Sequence, residues 1–396
     1  MRPAVVVAAH NRPAALSRLL ASLERAEYPS GSIPLLISID PGGDPGVPHI
    51  AERFRWGHGE KLIIEHAQHL GLVEHFYRCG DLSEEYGALI LLEEDLFVSP
   101  AFYSFASEAL TFYGEDRRIA GISLYALWFN GYNQFPFVPL LDDADVYFLQ
   151  VPYTQGQALT REQWSGFRSW QASGDRAIRV GDGLHEMFAR FGPDEWFPLR
   201  MKYLVQTGRT YVFPRASLTT GFGDAGAHFA RETRFFQVPL QGEAKDFRLK
   251  PLDDSCAVYD SFFEILPDRL NRLAPTLVGH TYDVDLYATK SPANLHADLV
   301  LTTRPCRLPS KGVGASPLRT FARAMWPMEA NVIEGIFGVG IALARRDDLR
   351  WGRLSEWRIA RRHYEYFSRG RRVGHSFSLK LSVAGLMDRL ERRARV

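Results

Sequence analysis

Three consecutive carboxylates, Glu93-Glu94-Asp95, follow five apolar residues, Ala88 to Leu92. Beside a buried apolar run, such charges are costly unless something compensates them. Hard oxygen donors of this kind suit Mg2+ or Mn2+, held by one or two carboxylates together with substrate phosphate oxygens. The plainer reading is a solvated strand end or a helix cap. Ser99 and Pro100 already supply a cap for the next helix, so capping does not require the acids. Asp40 ends the run Leu35-Leu36-Ile37-Ser38-Ile39. It either accepts a hydrogen bond from the base or ribose of a nucleotide, or starts a turn at Pro41-Gly42. Asp194 and Glu195 stand before a helix, just ahead of Trp196. They act as cap and dipole partner, or one of them is a general base in a partly apolar setting. Gly221 to Gly226 matches G-x-G-x-x-G by letter, but it follows no first strand and opens no clear helix. It reads instead as a glycine-rich active-site loop carrying His228.

Residues 1 to about 125 alternate strand and helix, and this must position those groups. Strands are expected at 5–8, 35–39, 62–64 and 88–92. Leu16, Leu19, Leu20 and Leu23 form a helical stripe after Pro13, a residue suited to the first turn. Further helices are expected over about 72–82 and from Pro100 to Tyr113. Short strands without polar alternation imply a parallel sheet covered on both faces. Ligands of such sheets bind outside the carboxyl ends of the strands, where Asp40 and Glu93-Glu94-Asp95 fall. Residues 126 to about 240 are rich in aromatics, including Trp128, Phe135, Phe137 and Tyr147. These residues suit sugar stacking and ordinary core packing equally. Helices are expected over 161–170 and from about 194, with a strand at 210–213.

Together these pieces resemble nucleotide-sugar glycosyltransferases of the GT-A fold. Val5 to Pro13 looks like the family-2-type opening, whose loop contacts the nucleotide; this assigns Ala9, His10 and Arg12 to the donor. Leu36 to Asp40 looks like the second strand, whose terminal Asp contacts uracil. Glu93-Glu94-Asp95 looks like the D-x-D-type metal motif, and its setting through Tyr103 is similar to β-1,2-N-acetylglucosaminyltransferase I and its protein-O-mannose relatives. Glu94 stands where that family has a middle Asp, which leaves Asp95 as the direct metal ligand. His75 matches a histidine near the donor, and Glu93 and Glu94 join the donor-binding set. Asp194-Glu195-Trp196 looks like the family's acidic pair, whose second acid is the base; Glu195 is one methylene longer than the Asp it replaces. Gly221 to His228 falls where the family has a glycine-containing loop and a histidine, which makes His228 a second candidate metal ligand.

The resemblance covers about residues 4–240. It implies an α/β fold with a GT-A (Rossmann-like), mostly parallel sheet flanked by helices. It also implies a glycosyltransferase domain over 1–300, with a nucleotide-binding half (1–125) and an acceptor-binding half (126–300). Residues 301–396 are expected to form a helical, basic C-terminal region. The implied activity is inverting, divalent-metal-dependent transfer (Mn2+ or Mg2+). The donor is a nucleotide sugar, UDP-linked and fitting UDP-N-acetylglucosamine, and the acceptor is a glycan or lipid-linked hydroxyl in polysaccharide biosynthesis. A sugar-phosphate nucleotidyltransferase stays as an alternative, although His10-Asn11-Arg12-Pro13 lacks the glycine-rich phosphate loop such enzymes need. A non-catalytic, membrane-associated glycan-assembly protein is another, and intact Asp40, Asp95 and Glu195 argue against it.

The 396 residues, 46% hydrophobic and 23% charged, exclude a disordered chain and a disulfide scaffold. Cys79, Cys256 and Cys306 form no zinc or disulfide pattern, which fits a reducing compartment. The apolar opening run is shorter than a signal h-region, so a cytoplasmic protein is expected. The net charge of +1 hides an asymmetry: residues 341–396 hold 15 Lys plus Arg against 6 Asp plus Glu. Leu379, Val383, Leu386, Met387 and Leu390 share a helical face there, with Lys380, Arg389, Arg392 and Arg393 around it. Such a helix suits peripheral contact with the inner face of a membrane, or packing on the catalytic body. No nucleic-acid partner is implied.

Overall fold

Val5, Val6 and Val7 are β-branched and fully buried, which suits a strand covered on both faces. They lie in β1 (Ala4–Ala9) at the heart of a nine-stranded sheet. The computed structural model describes residues 1–191, 195–224, 236–306 and 317–351. In chain order the remaining strands are β2 (Leu35–Ile39), β3 (Lys61–Glu65), β4 (Ala88–Glu93), β5 (Leu96–Val98), β6 (Ile119–Ser123), β7 (Val146–Leu149) and β8 (Gln157–Thr160). They continue with β9 (Thr210–Pro214), β10 (Thr219–Gly221), β11 (Val258–Tyr259), β12 (Tyr282–Asp285), β13 (Leu299–Thr302), β14 (Arg319–Ala322) and β15 (Gly340–Arg345). The helices that matter for the site are α1 (Pro13–Glu24), α2 (Gly46–Arg53), α3 (Leu72–Asp81), α4 (Ser83–Tyr86), α5 (Phe102–Tyr113), α6 (Arg161–Ser173) and α7 (Trp196–Thr207).

The large sheet runs β11-β7-β9-β6-β8-β4-β1-β2-β3. Five of its eight pairings are parallel, including the run β4-β1-β2-β3 that places four strand ends on one edge. The expected mostly parallel sheet flanked by helices is therefore present. Alternate residues of β1 serve two apolar layers. Val5 and Val7 share a core with Leu16, Leu19, Leu20 and Leu23 of α1. Val6 faces the opposite layer with Phe76 and Tyr77 of α3 and Trp164 of α6. Burying each such side chain is worth about 1.5–3 kcal/mol, so both helices are pinned to the sheet through one strand. β3 is an edge strand with no fully buried residue, unlike the fully buried β2 beside it.

Most of the aromatic middle of the chain packs inward: Phe135, Phe137, Tyr147 and Phe148 are buried, while Trp128 is exposed. β5 and β10 form a separate antiparallel ribbon, and β12-β13-β15-β14 form a third sheet. That sheet corrects the expected helical region from 301, because β14 and β15 are strands. In β15 the buried Ile341 and Leu343 alternate with the more exposed Gly340 and Ala342, a period of two that only a strand can satisfy. The arginines of these strands, Arg319 and Arg345, sit exposed at strand ends. The amphipathic segment read at 379–393 lies outside the described residues. Among the described residues, no helix is long and apolar enough to cross a membrane.

The large sheet and the third sheet meet at a buried acid. Tyr259 of β11 donates its hydroxyl to Glu329 Oε1 at 2.8 Å, and Glu329 is 3% exposed. Burial pushes its carboxyl up to about 7, against hydrogen bonds from its own backbone and Tyr259 that favour the charged form. The folded protein thus holds this proton more tightly than the unfolded chain, and stability falls as pH rises from about 4.5 to about 7. Glu329→Gln keeps an acceptor for Tyr259 and should remove that slope. At pH 8 the variant should exceed wild type by up to about 3 kcal/mol, a difference that shrinks towards pH 4, as urea unfolding at each pH will measure.

Candidate functional site

The parallel register brings the ends of β1, β2 and β4 together. Ala9 pairs with Ile39, and Ala8 with Glu93. Asp40 then donates its amide to Ala9 O at 3.0 Å, and Glu94 donates its own to Ala8 O at 3.1 Å. The loop after β2 approaches so closely that a Cβ on Gly43 would lie 2.0 Å from the His10 carbonyl oxygen. Only glycine fits there.

Asp40 is 2% exposed. Its Oδ1 accepts the Leu70 amide at 2.8 Å and its Oδ2 the Gly71 amide at 3.0 Å. Gly71 adopts φ 77°, a conformation that favours glycine and sets its N–H for this bond. His69 Nδ1 lies 3.0 Å from Asp40 Oδ2 and 3.1 Å from Pro41 O. Asp40 thus holds the loop between β3 and α3. His10 Nδ1 donates to the Asp40 carbonyl at 2.8 Å, and the His10 and His69 rings stack with centroids 5.2 Å apart.

His75 lies beneath this mouth, nearly fully buried. Its Nε2 is 2.9 Å from Ser38 Oγ, which also meets His66 Nε2 at 3.0 Å. Burial is the leading cause of a pKa lowered to about 4, so His75 is neutral near pH 7. The structure gives it the task of fixing Ser38 from below.

Arg12 carries the other half of the mouth. Its Nε donates to Glu94 Oε1 at 2.9 Å and its Nη1 to Asp95 Oδ2 at 2.7 Å. Burial opposes its charge, but the two carboxylates overcome this and raise its pKa. Glu94 is buried, which raises its own pKa in spite of Arg12. The pKa of half-buried Glu93 rises too, from burial first and then from the Asp95 and Glu94 charges. Three adjacent acids therefore share one guanidinium.

The β5–β10 ribbon delivers the glycine-rich loop to this point. Phe222 donates its amide to Asp95 O at 3.4 Å. Arg18 of α1 lies 3.9 Å from the Phe222 ring centroid and pairs with Asp224. Glu195 precedes α7 with a half-buried side chain. Its neighbour Trp196 stacks on Phe76 of α3 at 4.0 Å, which ties this helix start to the element below the mouth. Asp194 and His228 lie outside the described residues.

Ala9, His10, Arg12, Asp40, Glu93, Glu94 and Asp95 are thus brought to one sheet edge. His69 was missed by sequence reasoning; the signal was the concentration of histidines at 66, 69 and 75 after the third strand. A divalent cation at the acidic triplet would find Asp95 Oδ1, which Arg12 leaves free, on a partly accessible side chain. That donor suits Mg2+ or Mn2+ in company with phosphate oxygens. Such an ion would bind together with a nucleotide, because the adjacent guanidinium repels a cation arriving alone.

No protein-family model matches the chain, and no curated protein matches it in sequence. Among solved structures, similar chains include TarS of S. aureus (10% identity, TM-score 0.37, covering 55% of this chain and 36% of that one). Others are the mannosyltransferase PcManGT from Pyrobaculum calidifontis with GDP-Man and Mn2+ (11%, TM-score 0.38, 57% and 59%), and GalNAc-T7 with UDP, GalNAc and Mn2+ (13%, TM-score 0.38, 54% and 42%). The chain spans well under two thirds of the length of these structures. Likenesses at 10–13% identity carry no chemistry over to this chain.

The Arg12 clamp has a measurable consequence. Arg12→Met leaves two partly buried carboxylates unpaired and should cost about 2–3 kcal/mol of stability. Adding Glu94→Leu should recover part of that loss, giving a non-additive double-mutant cycle in denaturant unfolding.

Proposed function

We propose that the chain is an inverting glycosyltransferase of GT-A type, moving a sugar from a UDP-linked donor to the hydroxyl of a glycan or lipid-linked acceptor. The observation that carries this reading is the convergence of Arg12, Glu94 and Asp95 with His10 and Asp40 at the carboxyl edge of parallel strands. Ligands of such sheets bind on that edge, and a fixed guanidinium offers its remaining N–H donors to a diphosphate.

In this reading Ala9, His10 and the loop held by Asp40 receive the nucleoside, and Arg12 faces the diphosphate. Among the described residues Arg12 reaches two carboxylate oxygens, Glu94 Oε1 and Asp95 Oδ2, so the guanidinium keeps donors for phosphate oxygens. Mg2+ or Mn2+, held by Asp95 with His228 as the second candidate ligand, would supply Lewis-acid stabilisation of the departing nucleoside diphosphate. The solved complexes of PcManGT with GDP-Man and Mn2+ and of GalNAc-T7 with UDP and Mn2+ show such partners in those proteins. Glu195 takes the proton of the acceptor hydroxyl, with Asp194 beside it. A single displacement against that base inverts the anomeric centre, by the geometric logic of inverting glycosidases.

The acceptor half is proposed over 126–300, where Trp128 offers an exposed ring. A lipid-linked acceptor would suit a peripheral protein. Phe337 and Val339 are each 89% exposed, in the turn that leads into the basic segment 341–396, and both features suit an anionic interface at the inner face of a membrane.

A screen of nucleotide sugars for transfer or hydrolysis tests the reading. One UDP-sugar should turn over with wild type. Glu195→Gln should lower kcat by about 10²–10⁴-fold with donor binding kept, and Asp95→Ala should abolish turnover. Turnover unchanged in both variants would refute the assigned roles.

A further inference from the structure

Asp40 poses a problem that the nucleotide reading leaves unsolved. Its carboxylate is almost wholly buried, and among the described residues its one ion-pair partner is His69, charged only when protonated. Glu94 and Asp95 have Arg12; Asp40 has two neutral amides and histidines. A buried carboxylate fixed by backbone amides and flanked by imidazoles has the form of a metal ligand held by its surroundings.

The surrounding groups fit that role. His10, Asp40 and His69 come from three separate loops, yet one donor atom of each lies within 4.8 Å of the other two. The supporting bonds have the form that orients metal ligands. The Leu70 and Gly71 amides fix the Asp40 carboxylate. His10 gives its Nδ1 proton to the Asp40 carbonyl, which leaves Nε2 with its lone pair. His69 Nδ1 and Asp40 Oδ2 are 3.0 Å apart. Two ligands about 2.0–2.1 Å from a tetrahedral zinc ion lie about 3.3 Å from each other, so this pair needs a shift of a few tenths of an ångström and the His10 donor closes the remaining distance. The His69 ring proton then moves to Nε2, on a side chain 58% exposed, where water can accept it.

We propose that His10, Asp40 and His69 form a site for a divalent transition-metal ion of the zinc class. Two imidazoles and one carboxylate select such ions over Mg2+, which prefers oxygen donors. The exposed side of His69 leaves a coordination position open to solvent. This site shares His10 with the proposed nucleoside pocket but uses none of the acidic triplet, so metal uptake here is tested without nucleotide and does not depend on sugar transfer.

The experiment titrates the full chain with Zn2+ by calorimetry, without nucleotide, and uses Co2+ as an absorbance probe. One Zn2+ per chain is expected, with a Co2+ visible band of tetrahedral intensity. His69→Gln and His10→Gln, both partly exposed positions, should each weaken Zn2+ at least tenfold while thermal unfolding stays cooperative. Asp95→Asn should leave Zn2+ affinity unchanged. No stoichiometric uptake, uptake indifferent to both histidine variants, or loss with Asp95→Asn instead would each overturn the proposal.

Discussion

One guanidinium holds the acidic edge of the sheet together. Glu93, Glu94 and Asp95 are adjacent like charges at the end of a buried strand, and burial with the neighbouring charges raises the pKa of Glu93 and Glu94. Arg12 bridges Glu94 and Asp95 through two different nitrogens, 2.9 Å and 2.7 Å away. A planar fork can do this, whereas a lysine ammonium would give a single point charge. The same contact fixes the residue before α1, where Pro13 presets the first turn. Through Asp95 it also fixes the backbone that meets Phe222. The start of α1, the turn after β4 and the entry to the glycine-rich loop therefore depend on a single side chain.

Asp40 does the opposite job on the neighbouring strand. It gathers the β3–α3 loop with its carboxylate and His10 with its carbonyl, and no arginine joins it among the described residues. The parallel register sets Asp40 and the acidic triplet at one edge, so a mouth with one arginine-bound and one histidine-lined set of carboxylates is a direct product of strand pairing.

The first half of the fold was legible in the sequence because its strands are short apolar runs and its helix stripes are unbroken. Leu16, Leu19, Leu20 and Leu23 all proved buried in α1. The edge position of Asp40 and the acidic triplet followed from the ends of those runs. The pairing of Arg12 with Glu94 and Asp95 did not, since it joins residues more than eighty positions apart and depends on register. His69 was illegible for a similar reason: nothing local marks it off from His66 or His75, and only the turn at Gly71 sends it to Asp40. The third sheet was misread because its strands are short and the arginines at their ends, Arg319 and Arg345, hid the period of two.

In the proposed reading, this edge receives a nucleoside diphosphate between Arg12 and a cation on Asp95. Calorimetric titration of the full chain with UDP, in Mn2+ and then in EDTA, tests it most directly. Tenfold or tighter binding in Mn2+, with that gain lost in Asp95→Ala, is the predicted result. Absence of UDP binding, or equal affinity with and without the ion, would contradict it.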